Sequence, residues 1–209
     1  MQAAQAVILA LDTPHGPARA HVHRVADARG ALVLGHGAAG GIAAPDLVAV
    51  AGAALSEQIA VALVEQPYRV AGRRSPAPAH QLDTAWTAVV ERLQDEPLAG
   101  LRLVAGGRSS GARVACRTAE VLGAVGVLCL AFPLRPPRRA GAAPAASRLA
   151  ELEAVHVPTL VVQGERDAFG IPRAARLRKV VRVRGDHSLR SDQAAVAAAA
   201  RGWLVDVLG

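Results

Sequence analysis

Leu101-Arg102-Leu103-Val104-Ala105-Gly106-Gly107-Arg108-Ser109-Ser110-Gly111 is the stretch on which the reading of this chain turns. An apolar strand, 101–106, runs into Gly107-Arg108-Ser109-Ser110-Gly111, a match to G-x-S-x-G. An amphipathic helix over 110–122 follows directly. Strand, sharp turn and helix form the context in which that motif has chemical meaning. The central serine must take a strained backbone angle so that its hydroxyl projects from the turn. Small residues two positions to either side relieve the crowding that results. The helix start then offers backbone N–H groups to developing negative charge. Without those flanks the segment is only a Gly/Ser-rich turn between a strand and a helix.

Outward from this point, short apolar strands alternate with helices. Upstream, 6–11 and 18–25 flank Thr13-Pro14-His15-Gly16-Pro17, a turn composition that predicts an antiparallel hairpin. Strands 31–34 and 59–64 come next, with a helix starting after Pro45-Asp46. Leu82, Ala85, Trp86, Val89, Val90 and Leu93 recur at i, i+3, i+4, i+7, i+8 and i+11, one apolar face of a helix over 81–94. Downstream the pattern gives strand 125–130, a Pro- and Arg-rich loop (133–144), a short helix near 147–153 and strand 157–162. A short helical piece, strand 180–183 and a last helix near 192–208, N-capped by Ser191, complete it. No internal repeat is present. The expectation is an α/β chain, one domain over 1–209, with a mostly parallel eight-stranded sheet, helices on both faces and no large cap domain. Ligands of such sheets bind outside the carboxyl ends of the strands.

A serine hydroxyl is a weak nucleophile until a base takes its proton, so a histidine and an orienting carboxylate should follow it. Asp167 lies in Gln163-Gly164-Glu165-Arg166-Asp167 after strand 157–162, and His187 in Gly185-Asp186-His187-Ser188 after strand 180–183. Both leave strand ends on the side expected for Ser109. Glu165 and Asp186 are rival acids, less well placed in their loops. An oxyanion hole is expected from the backbone N–H groups of Ala38 and Ser110, with Ala39 as the neighbouring alternative. Ala38 sits in Gly35-His36-Gly37-Ala38-Ala39-Gly40-Gly41, after strand 31–34, where this architecture donates one N–H. His36 shapes that loop rather than acting as base.

The same loop matches G-x-G-x-x-G through Gly35, Gly37 and Gly40, with Glu65 following strand 59–64. A dinucleotide site needs its helix to begin inside the glycine motif, and here the helix waits for Pro45-Asp46. No cofactor and no metal are expected. His21 and His23 share a strand face, but without further ligands they read as a solvated hairpin. The 24 Lys and Arg against 17 Asp and Glu give a net +7. Almost all of that charge is arginine, Lys179 being the only lysine, and asparagine is absent, a pattern of GC-rich codon use. Aromatic residues make up 2%, leaving few platforms for base stacking, which argues against nucleic acid as a partner. No apolar run reaches the roughly 18–20 residues of a membrane span, and the first eleven residues lack the features of a secretory signal. A soluble, cytoplasmic monomer or homodimer is expected. Cys116 and Cys129 read as core residues; Trp86 and Trp203 read as helix-to-sheet packing.

With these residues assembled, the chain resembles small α/β-hydrolases of the dienelactone-hydrolase-like branch. More closely, it is similar to the hydrolase-like family that includes a subunit of a chromatin acetyltransferase complex. The resemblance rests on 34–41, Gly106–Arg113, 163–167 and Asp186-His187-Ser188. It implies an eight-stranded core without a large cap domain but no substrate, and some relatives serve as assembly subunits. Ser109, His187 and Asp167 themselves read as a serine hydrolase of a small ester, thioester or related acyl compound. Dienelactone hydrolases proper use cysteine where Ser109 stands, so their substrate does not carry over. Arg69, Arg73 and Arg74 follow strand 59–64, and Arg135, Arg138 and Arg139 follow strand 125–130. Arg69, Arg108 and Arg135 are the candidates to attract an anionic substrate, against the bland reading of solvated arginines. Glu65 is expected to hydrogen-bond Arg108 and hold the turn. Loop 131–148 is the candidate lid, so the pocket should be shallow. The competing class is a non-catalytic interaction module on the same fold, which has no physical need for all three of Ser109, Asp167 and His187.

Overall fold

Continuous apolar runs such as Ala31–Leu34 and Ile59–Val64 have no polar face because both sides of the strand are covered, the condition of a parallel sheet sandwiched by helices. The computed structural model describes residues 6–136 and 145–209. Its eight strands are β1 (Val7–Leu11), β2 (Ala18–His23), β3 (Gly30–Gly35), β4 (Ile59–Glu65), β5 (Leu103–Arg108), β6 (Gly126–Leu130), β7 (Thr159–Gly164) and β8 (Arg178–Val183). They lie in the order β1-β2-β4-β3-β5-β6-β7-β8. β1 and β2 form the expected antiparallel hairpin, β2 is antiparallel to β4, and every later pairing is parallel. The ends of β3, β5, β7 and β8 therefore point to one edge, where the functional loops gather.

The two faces of the sheet differ in side-chain size. Ala31, Val33, Ala60, Ala62 and Ala105 face α3 (Ala79–Asp95), α4 (Ser110–Thr118) and α5 (Leu149–Glu153). Leu32, Leu34, Ile59, Leu63 and Leu128 face α1 (Pro45–Ser56) and α6 (Gln193–Leu208). Small residues on the first face leave room for Trp86 of α3, which is buried against Gly35. Trp203 of α6 packs on Gly126 from the other side. Ion pairs tie α3, α4 and α5 together: Glu151 takes both Arg113 and Arg117, and Arg117 also pairs with Asp83.

Four expectations change in detail. β5 runs to Arg108, because Gly107 pairs with Gly35 and Arg108 with Leu130 beyond the first glycine. A four-residue helix, α2 (Pro67–Val70), follows β4 and was not foreseen. No helical piece lies between β7 and β8: Asp167 Oδ1 accepts from Phe169 N, Gly170 takes φ +86°, and Pro172 follows, a set of turns that leaves no room for helical bonding. α6 is capped by Asp192, whose carboxylate accepts from Ala195 N at 3.1 Å, and Ser191 lies against Gly185 instead. Arg138, Arg139 and residues 137–144 of the candidate lid lie outside the described residues. Among the described residues no helix is long and apolar enough to cross a membrane.

Candidate active site

Ser109 sits between β5 and α4 with φ 52° and ψ −107°, a left-handed conformation that a residue with a side chain adopts only under constraint. The constraint is close packing of backbone on backbone. A Cβ on Gly107 would stand 2.6 Å from the carbonyl oxygen of Gly35, and one on Gly111 would collide with that same oxygen and stand 2.9 Å from that of His36. The glycines are thus required where the chain crosses β3. Ser109 N donates to Leu130 O at 2.9 Å, fixing the turn to β6.

The other two predicted residues meet Ser109 here. His187 Nε2 lies 2.9 Å from Ser109 Oγ, and His187 Nδ1 lies 2.8 Å from Asp167 Oδ2. Asp167 is buried and holds two more donors, Gln163 Nε2 at 2.6 Å on Oδ2 and Phe169 N at 2.8 Å on Oδ1. A carboxylate with this many donors keeps its orientation, which suits an imidazole carrying its proton on Nδ1. The Phe169 ring lies 4.2 Å from the His187 ring, tilted by 32°, and covers one of its faces. The rival acids stay outside this chain of bonds: Glu165 is exposed, and exposed Asp186 accepts from Ser188, whose hydroxyl and N–H hold its pKa below the usual value.

The glycine-rich loop after β3 passes directly over the turn, where a Cβ on Gly37 would be 3.6 Å from Ser109 Cβ. His36 braces it. Its Nδ1 donates to Gly37 O at 2.8 Å and its Nε2 accepts from Gln66 N at 3.1 Å, while burial pushes its pKa down. Tyr68 of α2 donates to Ala38 O at 3.0 Å, and burial pushes its phenol up to about 12, so it remains a donor. Among the described residues Ala38 N donates to no protein acceptor, and Ser110 N, at the first position of α4, has none within its helix. A cleft of about 410 Å³ opens beside the loop, lined by Ala39, Gly40, Gly41, Arg108, Ser188 and Arg190.

Two of the remaining expectations, both involving Arg108, fare differently. Glu65 does not reach Arg108; it lies 3.2 Å from His21, because β2 pairs beside β4 and brings that imidazole to it. Arg108 instead pairs with Asp46 of α1 at 2.9 Å and donates Nη2 to the carbonyl of His187 at 2.9 Å. Arg69 donates to Arg73 O at 3.4 Å from α2, and exposed Arg135 uses its backbone N–H on Phe169 O. Cys116 and Cys129 are free and buried with sulfurs 3.5 Å apart, and their hydrogen bond and burial raise the Cys129 thiol well above its usual range. Reading the sequence missed Asp46, Gln163, Tyr68 and Phe169 as site residues. Gln163 alone carried a signal, a polar residue ending an apolar strand four positions before the acid.

Known structures of this fold are plentiful. A lidless a/b serine hydrolase from Xanthomonas campestris superimposes with a TM-score of 0.77 at 19% identity, covering 97% of this chain and 95% of that one. A dienelactone hydrolase from Anabaena variabilis gives 0.76 at 18% identity, over 98% and 99% of the two chains. An esterase from Pyrococcus furiosus gives 0.76 at 15% identity, over 98% and 93%. At these identities the likeness is one of fold. No curated protein matches the sequence. A family model described as an alpha/beta hydrolase domain matches residues 28–200, from the start of β3 into α6, and so takes in the serine turn, both later loops and the glycine-rich loop. By that match this chain belongs to the alpha/beta hydrolase domain family.

Proposed function

We propose that the protein is a serine hydrolase cleaving a small ester, thioester or related acyl compound through an acyl-enzyme. The observation that carries this reading is the unbroken run of hydrogen bonds from Ser109 Oγ through His187 to Asp167 at a serine held in left-handed backbone. Ser109 Oγ attacks the carbonyl carbon as His187 Nε2 takes its proton. Asp167 stabilises the imidazolium and keeps its tautomer. The carbonyl electrons move to oxygen, which the N–H groups of Ala38 and Ser110 receive; an oxyanion donor of this kind contributes about 3–4 kcal/mol. Collapse expels the alcohol or thiol with the proton from His187. Water, deprotonated by the same nitrogen, then attacks the acyl-enzyme, and the acid leaves as Ser109 regains its proton.

The remaining readings extend the same proposal. With Arg108 engaged inside the protein, Arg69 and Arg135 are left to attract an anionic substituent, and the enzyme acts on a small molecule in the cytoplasm as a monomer or homodimer. The motif set aligns it with the small hydrolase-like family that has a chromatin acetyltransferase subunit among its members. A fluorophosphonate probe tests the central claim, since it reports an activated serine whatever the natural substrate. Wild type is expected to label and Ser109→Ala to remain unlabelled. A folded wild type that does not label points to a non-catalytic interaction module. Equal, salt-independent kcat/KM for neutral and carboxylate-bearing esters removes the anionic substrate.

A further inference from the structure

Arg108 links three segments that reach the site from different strands. Its backbone ends β5, one residue before Ser109. Its Nε is 2.9 Å from Asp46 Oδ2 in the first turn of α1, and its Nη2 donates to the main-chain carbonyl of His187 at 2.9 Å. Nη1 faces the glycine-rich loop, since a Cβ on Gly37 would lie 3.0 Å from it. Asp46 is 0% exposed, and among the described residues Arg108 is its only ion-pair partner. Burial raises the Asp46 carboxyl and the guanidinium opposes that shift. A buried pair of this kind is weak evidence for stability, because desolvation offsets most of its attraction. Its geometry provides a better reason for its presence.

His187 needs more than its ring contacts to stay in place. Asp167 fixes Nδ1 and Phe169 covers one ring face, but neither holds the main chain. That main chain runs between two left-handed residues, Gly185 at φ +122° and Leu189 at φ +51°. Arg166 N holds the Gly185 carbonyl and Leu189 N that of Asp186, while Arg108 is the donor on the His187 carbonyl itself, from a position joined to the nucleophile by a single peptide unit. We propose that Arg108 is a positioning residue that keeps the His187 imidazole in register with Ser109, and that buried Asp46 is the anchor that aims its guanidinium. This role rests on the hydrolase reading above. The planar fork matters: one guanidinium sets Nε 2.9 Å from a carboxylate oxygen of Asp46, which has no other partner among the described residues, and donates Nη2 to the His187 carbonyl, whereas a lysine ammonium is a point charge without that fixed spread.

The test compares Arg108→Met, Arg108→Lys and Asp46→Asn with wild type. Arg108→Met is expected to lower kcat and the fluorophosphonate labelling rate roughly 10- to 100-fold, the scale of a misplaced catalytic group, with KM within about twofold. Arg108→Lys keeps the charge pair with Asp46 and a near-native Tm but does not restore kcat. Asp46→Asn lowers kcat in the same direction, and adding it to Arg108→Met costs little more, because the two act as one unit. An independent readout is the downfield Nδ1–H proton resonance of His187, identified by its loss in His187→Gln. It should broaden in folded Arg108→Met. The proposal is overturned by an unchanged kcat in that variant, by an unchanged resonance, or by losses that track the folded fraction in all three variants. Failure of the hydrolase reading shows separately, as a folded wild type that neither labels nor turns over esters.

Discussion

Gly107 and Gly40 look alike in the sequence, both glycines in a motif-bearing loop, yet the structure gives them opposite roles. A Cβ on Gly107 would meet backbone on two sides, Gly35 O at 2.6 Å and Gly111 C at 2.7 Å, so neither neighbour can rotate away. Gly107→Ala should cost about 3 kcal/mol in urea denaturation, the upper range of overpacking. Gly40 has no atom within 4 Å of the added carbon and no left-handed φ, so Gly40→Ala should stay within about 0.5 kcal/mol. Equal effects would remove backbone crowding as the reason for the glycine spacing. That spacing was legible in the motif. Its cause was legible only in part, because one obstacle, Gly111, lies in the motif and the other, Gly35, is a residue of another strand.

The loop after β3 is held from below by His36, and this gives the element a pH dependence. Nδ1 donates and Nε2 accepts, an arrangement only the neutral ring can make, and burial lowers the pKa below the ordinary histidine value of about 6.5. Below pH 6.5 the unfolded chain takes up a proton that the folded ring refuses. The unfolded state then binds more protons, so the stability present above 6.5 declines as pH falls toward the folded pKa. Urea midpoints at pH 7.5 and 5.5 should therefore fall further apart in wild type than in His36→Gln. Equal differences in the two proteins would show that His36 does not carry the effect. Asp46 acts in the opposite direction, because its folded pKa is raised and acid relieves its burial. The sequence placed His36 in the loop correctly as a shaping residue. Its partner Gln66 could not be read, since β4 delivers it from 30 positions away. Glu65 was misassigned for the same reason: the pairing of β2 with β4 gives it His21.

Across the whole molecule, the sheet is asymmetric, with alanine and valine toward α3, α4 and α5 and leucine and isoleucine toward α1 and α6. Trp86 fills the room that this leaves, at 1% exposure and against Gly35, which leads into the glycine-rich loop. Trp86→Ala is expected to cost about 3–5 kcal/mol by urea denaturation, as for other buried aromatic residues. Val121→Ala, at a side chain 67% exposed, should change stability by less than about 0.5 kcal/mol. A Trp86 variant as stable as the Val121 variant would mean that the interface between sheet and α3 tolerates a cavity of that size.

By itself the sequence determined the alternation of strands and helices, the serine turn, and the order in which an acid and a histidine follow it. Each of those is local, written in periodicity, glycine spacing and the residues at strand ends. The tertiary structure alone decided that Glu65 meets His21, that Asp192 and not Ser191 caps α6, and that Arg108 joins Asp46 and the His187 carbonyl. Those choices depend on distances between segments far apart in the chain. Strand order and register set such distances, and pairwise proximity leaves no mark in the composition of either segment alone.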